Sequence, residues 1–180
     1  LPSAILGALF GNYIDMLLEN IWVVIATILS GGIILVFVDK WFKHGDETGE
    51  QEVSWMQGLK IGGFQCISMI PGVSRAAATI IGGMAVGLNR RTAAEFSFFL
   101  AVPTMLGACV MKIKDSYTAI QNHDIVVMLV GSIVAFVVAM LAIKAFIGFL
   151  KRYGFKWFGY YRIVLGVVLA GIVSFMKMHI

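Results

Sequence analysis

The sequence predicts an all-α, polytopic membrane protein: one membrane domain over residues 1–180, with spanning helices and a re-entrant helical hairpin at 54–89. Three observations carry that class. The chain is 59% hydrophobic and 13% charged, with a mean hydropathy of +0.90, where an ordinary soluble domain carries about 25% charge. Its polar residues gather into a few short connections between long uncharged runs. And one arginine sits beside a Pro-Gly break within a long, otherwise uncharged stretch, "MIPGVSRAAATI" at 69–80.

In order along the chain, Leu1–Phe10 already reads as the tail of a membrane helix. With no signal-peptide pattern and no initiator Met, the chain is expected to be a piece of a longer protein. Four further runs lack charge: Ile21–Val38 (18 residues), Phe96–Met111 (16), Ile125–Ile143 (19) and Ile163–Met176 (14), the last preceded by the aromatic "WFGYY". Each approaches the ~20 residues a span needs once its ends sit at the interface. Ile61–Ser74 and Ala76–Asn89 differ, being 14 residues each and separated only by Arg75. As helices each reaches roughly 21 Å, short of a ~30 Å hydrocarbon core. Pro71-Gly72 breaks the backbone between them. Two short apolar arms meeting at such a tip read as a hairpin; one kinked spanning helix is the alternative. Broken backbone at membrane depth requires protein or a water-filled cavity around it, so the hairpin implies a polar cavity.

Charge in the connections supports the hairpin independently. Cytoplasmic loops collect Lys and Arg. Lys40, Lys43, Lys60, Arg90, Arg91, Lys151, Arg152 and Lys156 fall on one side only if 54–89 enters and leaves the membrane from the same face. The tip then points outward, and the C-terminus lies outside.

An arginine at membrane depth costs ~2.5–3.5 kcal/mol on insertion scales, which makes Arg75 a functional candidate with a partner to find. Ser74 stands where a helix N-cap belongs, ahead of three alanines. A helix start offers free N–H groups and partial positive charge, and with a guanidinium and hydroxyls it suits phosphate oxygens. Thr79 lies one turn behind Arg75 on the same face, Gly72 is at the break, and Gln65 on the first arm can reach the same cavity. Plainer roles exist for each. Ser74 can act only as a cap, Thr79 can bond back into its own helix, and Arg75 can pair with Glu95. Glu95 can serve as a base or ligand, or sit harmlessly one turn from Arg91. His44, His123 and His179 fall in connections or the tail and read as solvated. Cys66 and Cys109 show no ligand or disulfide spacing and read as small core residues. Gly62, Gly63, Gly82 and Gly83 fit close packing within the hairpin. No basic or aromatic-interleaved stripe points to nucleic acid.

The segment "GGFQCISMIPGVSRAAATIIGGMAVGLNRRTAAEFSFFLAVP", 62–103, resembles the second signature region of undecaprenyl pyrophosphate phosphatases, bacterial integral membrane enzymes. Their pattern is Pro-Gly-x-Ser-Arg-Ser-Gly-x-Thr. Pro71, Gly72, Ser74, Arg75 and Thr79 match it, while Ala76 and Ala77 replace the second Ser and the Gly. That departure moves the hydroxyl role to Ser74 and Thr79. "EFSFFLAVP" and "AIKAFIGFLKRYGFKWFGYYRIVLG" resemble the family too, so the resemblance spans the chain. It implies hydrolysis of undecaprenyl pyrophosphate to undecaprenyl phosphate, recycling the carrier for cell-wall synthesis and conferring antibiotic resistance. It also implies a bacterial inner-membrane location, a polyprenyl pyrophosphate lipid as partner, a divalent cation (Mg or Ca) and a candidate homodimer. Arg75, Ser74 and Thr79 become catalytic candidates; Gly72, Gln65 and Glu95 become substrate-binding ones. The family's earlier signature, with glutamates and a histidine, has no match here. The nucleophile and metal ligands are therefore expected outside this chain, and the chain alone is expected to be inactive. A polyprenyl-lipid flippase, a secondary transporter with inverted repeats and a structural membrane subunit are the competing functions.

Overall fold

A computed structural model describes residues 2–42, 51–116 and 122–178. These form seven helices: α1 (Pro2–Glu19), α2 (Ile21–Trp41), α3 (Trp55–Ile67), α4 (Arg75–Ala85), α5 (Arg90–Ser116), α6 (Asn122–Tyr153) and α7 (Lys156–Met178). Four of them, α2, α5, α6 and α7, are long and apolar enough to cross a membrane. The class expected from composition is the one observed, and this is a multi-pass membrane protein.

Boundaries moved where local polarity misled. α1 continues past Phe10, through a kink at that residue (φ −118°, ψ 16°), as far as Glu19. α5 and α6 extend well beyond their uncharged cores, and α6 holds 32 residues that include Lys144 and Arg152. Long basic side chains can run along apolar surface and keep their heads at the interface, so a charge does not end such a helix. What ends α6 is Gly154, at φ +69°, a conformation that glycine adopts without a Cβ penalty.

Segment 54–89 is a hairpin. Its arms hold 13 and 11 residues, roughly 20 and 16 Å, too short to span. Ser54 caps α3 in a reciprocal capping box with Gln57, and Ser74 caps α4. The two outer ends meet: Gln57 Nε2 donates to Val86 O at 3.1 Å, and Asn89 N donates to Gln51 Oε1 at 2.7 Å. Inside, a Cβ on Gly82 would lie 2.6 Å from Phe64 Cβ, and one on Gly83 would lie 2.8 Å from Ala93 Cβ. Those two glycines let α4 close on α3 and α5, as expected; Gly63 has open space around it.

The small core lies at this hairpin and beneath it. Ile61, Ile80, Met84, Leu88, Ala93 and Ala94 meet Leu35 and Val38 of α2, together with Leu150 and Phe155. α2 and α7 form the most extensive helix pair among the described residues. Gly32 and Gly159 bring their backbones close enough that a Cβ on either would approach a carbonyl of the other helix, at 3.0 and 2.7 Å. Asp39, near the end of α2, closes the base. Its Oδ2 accepts from Phe155 N (2.8 Å) and Lys156 N (3.1 Å) at the start of α7, and Oδ1 lies 3.1 Å from Arg90 Nη2 at the start of α5. A carboxylate at a helix N-terminus is favoured by the free N–H groups there.

Elsewhere large apolar side chains face outward. α6 exposes nearly all of its length, from Ile125 to Leu141. In a membrane such a face contacts lipid, which carries no hydrophobic penalty. Cys109 belongs to that outward surface rather than to a core, and both cysteines are free thiols. His44 and His179 lie outside the described residues, as does the His123 side chain.

Candidate functional site

The site is the hairpin tip, residues 68–74, and the first turn of α4. Its backbone is irregular because Pro71 ends the first arm and Gly72 turns at φ +83°. Each carbonyl released there needs a donor. Thr27 of α2 donates from Oγ1 to Pro71 O at 2.5 Å. Arg162 of α7 donates from Nη2 to Gly72 O at 2.6 Å. Gly72 admits no side chain: a Cβ would strike the Thr27 hydroxyl and lie 2.7 Å from Val24 O.

Beyond the turn, Ser74 Oγ accepts from Ala77 N at 3.3 Å, and Ser74 O accepts from Ala78 N at 2.9 Å. Among the described residues, the N–H groups of Arg75 and Ala76 have no hydrogen-bond partner. They are the free donors of a helix start, the geometry that receives anions. The Arg75 side chain is half-buried and donates from Nη1 to Thr104 Oγ1 of α5 at 2.8 Å. One of its five donor N–H groups is thereby engaged. Thr104 in turn bonds back to Leu100 O and Ala101 O, which holds its hydroxyl in place.

The remaining sequence candidates stand apart from that cluster. Thr79 is 2% exposed, bonds back to Arg75 O at 2.9 Å, and shares a 2.6 Å hydroxyl pair with Ser97 of α5. Gln65 is buried where α3 meets α1, and its Nε2 donates to Ser3 Oγ of α1 at 3.4 Å. Phe64 and Ile67 of the same arm line the cavity, and Gln65 does not. Glu95 pairs with Arg91 one turn earlier, Nε to Oε1 2.8 Å. Thr104 lies nine residues further along α5 than Glu95, about 13 Å at 1.5 Å per residue, so an Arg75–Glu95 pair does not form.

Between the tip, α2 and α7 lies a cavity of about 190 Å³. Its walls are apolar, chiefly Ile34, Leu35, Phe64, Val73 and Ile81; Ser74 and Arg162 border it without presenting polar surface, so it is not the polar cavity that the broken backbone implied. Arg162 went unremarked in the sequence because it follows an aromatic cluster and reads as an interface residue. The signal is weaker than for Arg75: Lys156 stands only six positions before it, although the next charge, Lys177, is fifteen positions on.

Comparisons with known proteins bear on this geometry. The family model described as bacitracin resistance protein BacA matches residues 1–168. An undecaprenyl-diphosphatase from Flavobacterium johnsoniae is 53% identical over 174 residues, which cover 94% of this chain and 65% of that protein. One from Flavobacterium psychrophilum is 56% identical over 172 residues, with the same coverage. One from Porphyromonas gingivalis is 50% identical over 173 residues, covering 93% and 61%. The chain therefore spans a little under two thirds of the length of these relatives.

Proposed function

The chain belongs to the bacitracin resistance protein BacA family, and from that premise we propose that it forms the phosphate-holding part of an undecaprenyl-diphosphate phosphatase. The reaction would be hydrolysis of the phosphoanhydride of undecaprenyl pyrophosphate, giving undecaprenyl phosphate and inorganic phosphate. The observation that carries this reading is the pair of unpartnered N–H groups at Arg75 and Ala76 beside the Arg75 guanidinium. Preorganised donors of that kind stabilise charge that builds on phosphoryl oxygens in the transition state. Arg75 would bind those oxygens with its free donors while Thr104 steadies it. Ser74 would contribute its hydroxyl, and Gly72 would let the ligand approach the backbone. Thr79, tied to Ser97, would act by holding α4 against α5; Gln65 and Glu95 would support neighbouring helices.

A divalent cation, Mg or Ca, remains part of the wider proposal. Among the described residues no group of three or more His, Cys, Asp or Glu comes together to hold one. The residues described here do not fit the metal.

The same reading puts the protein in the bacterial inner membrane, with the tip cavity on the outer side and the C-terminus outside. The Lys and Arg bias of the connections supports that orientation. Thiol labelling from either side of inverted vesicles, with single cysteines at Ile70 and at the C-terminus, tests it. A homodimer is the proposed assembly, tested by mass measurement in detergent.

The deciding experiment is phosphate release from polyprenyl pyrophosphate by the purified full-length protein in liposomes. Release that is lost in Arg75→Ala supports the proposal. No release, together with movement of the lipid between leaflets, would assign transport instead.

A further inference from the structure

We propose that Arg162 is a positioning residue for the tip: through Gly72 O it sets the direction in which Ser74, Arg75 and the first N–H groups of α4 face. This rests on the reading of the tip as a phosphate site. Arg162 lies within a helix long and apolar enough to span the membrane, where a guanidinium is costly and calls for a partner. Among the described residues no carboxylate pairs with it. Its partner is a backbone carbonyl 90 positions earlier in the chain, at 2.6 Å, in a charge-assisted bond.

The surroundings are built for that reach. Gly31 of α2 faces the guanidinium, and a Cβ there would lie 3.2 Å from Nη2 and 3.6 Å from Nε. The absent side chain leaves the lane through which Arg162 passes α2 to the tip. Among the described residues Nε is buried without a partner, and the side chain is held by the Nη2 bond to Gly72 O and by packing against Gly31. Thr27 of the same α2 holds the preceding carbonyl, Pro71 O. Consecutive carbonyls of the tip are thus fixed by two helices that pack tightly on each other, rather than by the hairpin's own arms. The hairpin's own bonds, Ser68, Met69 and Ile70 N to Gln65, Cys66 and Ile67 O and Val73 N to Ile70 O, hold the turn but leave the carbonyls of Pro71 and Gly72 to α2 and α7. A tip that loses those outer bonds samples more orientations, and apparent affinity falls with the fraction that is competent.

The test uses the full-length protein, with Cys66→Ala and Cys109→Ala, and a nitroxide label on Ile70→Cys at the exposed side of the tip. The parent is compared with Arg162→Met, Arg162→Lys and Gly31→Ala, and with the double variant that combines Gly31→Ala and Arg162→Met. Arg162→Met should mobilise the label and lower kcat/KM for phosphate release by about tenfold or more, the scale of a lost charge-assisted bond. Arg162→Lys, which keeps a cation but not the fork, should restore part of both. Gly31→Ala should lower kcat/KM a few-fold on its own and do nothing further in the double variant, because it acts through the guanidinium. A label as immobile in Arg162→Met as in the parent overturns the proposal, as does a Gly31→Ala effect that persists undiminished in the double variant. If Arg162→Met fails to fold, Arg162→Lys and Gly31→Ala alone must still move label and rate together; separate responses overturn it. A parent with no phosphatase activity would refute the phosphatase reading, and the label spectra would still decide the role of Arg162.

Discussion

Gly72→Ala is the sharpest probe of how the tip is held. The residue sits at φ +83°, where an alanine costs about 1–2 kcal/mol. Its Cβ would also strike the Thr27 hydroxyl and stand 2.7 Å from Val24 O. Relief requires the tip to withdraw from α2 by something on the order of 1 Å to regain van der Waals separation. A move of that size takes both tip bonds, now 2.5 and 2.6 Å, to the edge of hydrogen-bonding range. Thr27 has a fallback in Val23 O and Val24 O, at 3.0 and 2.9 Å in its own helix. Arg162 has none among the described residues, so its bond is the larger loss, about 1.5–3 kcal/mol. Strain and lost bond overlap, and we expect a combined penalty of about 2–4 kcal/mol on the competent tip, or roughly 30- to 1000-fold in kcat/KM. Thr27→Ala added to Gly72→Ala should recover less than about threefold, because Val24 O and the positive φ remain. Steady-state phosphate release measures the rates, and an unfolding titration in mixed detergent measures the stability. A Gly72→Ala protein within about threefold of the parent in rate, or one fully rescued by Thr27→Ala, would refute the reasoning.

Arg75→Lys keeps the charge but loses the planar fork, and should cut kcat/KM by about two orders of magnitude or more in the same assay; near-parental turnover would remove Arg75 from the phosphate. Asp39→Asn weakens both the N-terminal cap of α7 and the contact with Arg90, and should lower unfolding stability by about 1–2 kcal/mol, read from the detergent titration midpoint. Thr79→Val leaves the Ser97 hydroxyl buried without its 2.6 Å partner and should cost about 1–2 kcal/mol, most of it recovered in Thr79→Val with Ser97→Ala; loss of turnover without loss of stability would instead bring Thr79 to the substrate.

The elements readable in the chain are those whose cause is local. Run length separates the four candidate spans from the two short arms, and Pro71-Gly72 marks the break between those arms. Ser74 before three alanines marks the start of α4, and the capping bond to Ala77 N is there. Helix ends were less readable where lysines and arginines ran on inside α5 and α6, because an amphipathic stem tolerates an apolar flank.

What the chain could not disclose is which partner each polar group of the site takes. In the sequence the protein partner legible for Arg75 is Glu95, and only the packing of α4 on α5 brings Thr104 to it instead. The sequence lets Gln65 reach the cavity, but the packing of α3 on α1 sets its amide against Ser3 instead. Arg162 and Gly72 are separated by 90 positions, with no local pattern linking them. The sequence alone determined where helices form, where the backbone breaks, and that a cation must be accommodated at the break, since these follow from short-range sterics and from the cost of charge in hydrocarbon. Only the tertiary structure decided that the tip hangs from α2 and α7, because that depends on a close glycine-mediated approach of two helices that meet only in the folded chain.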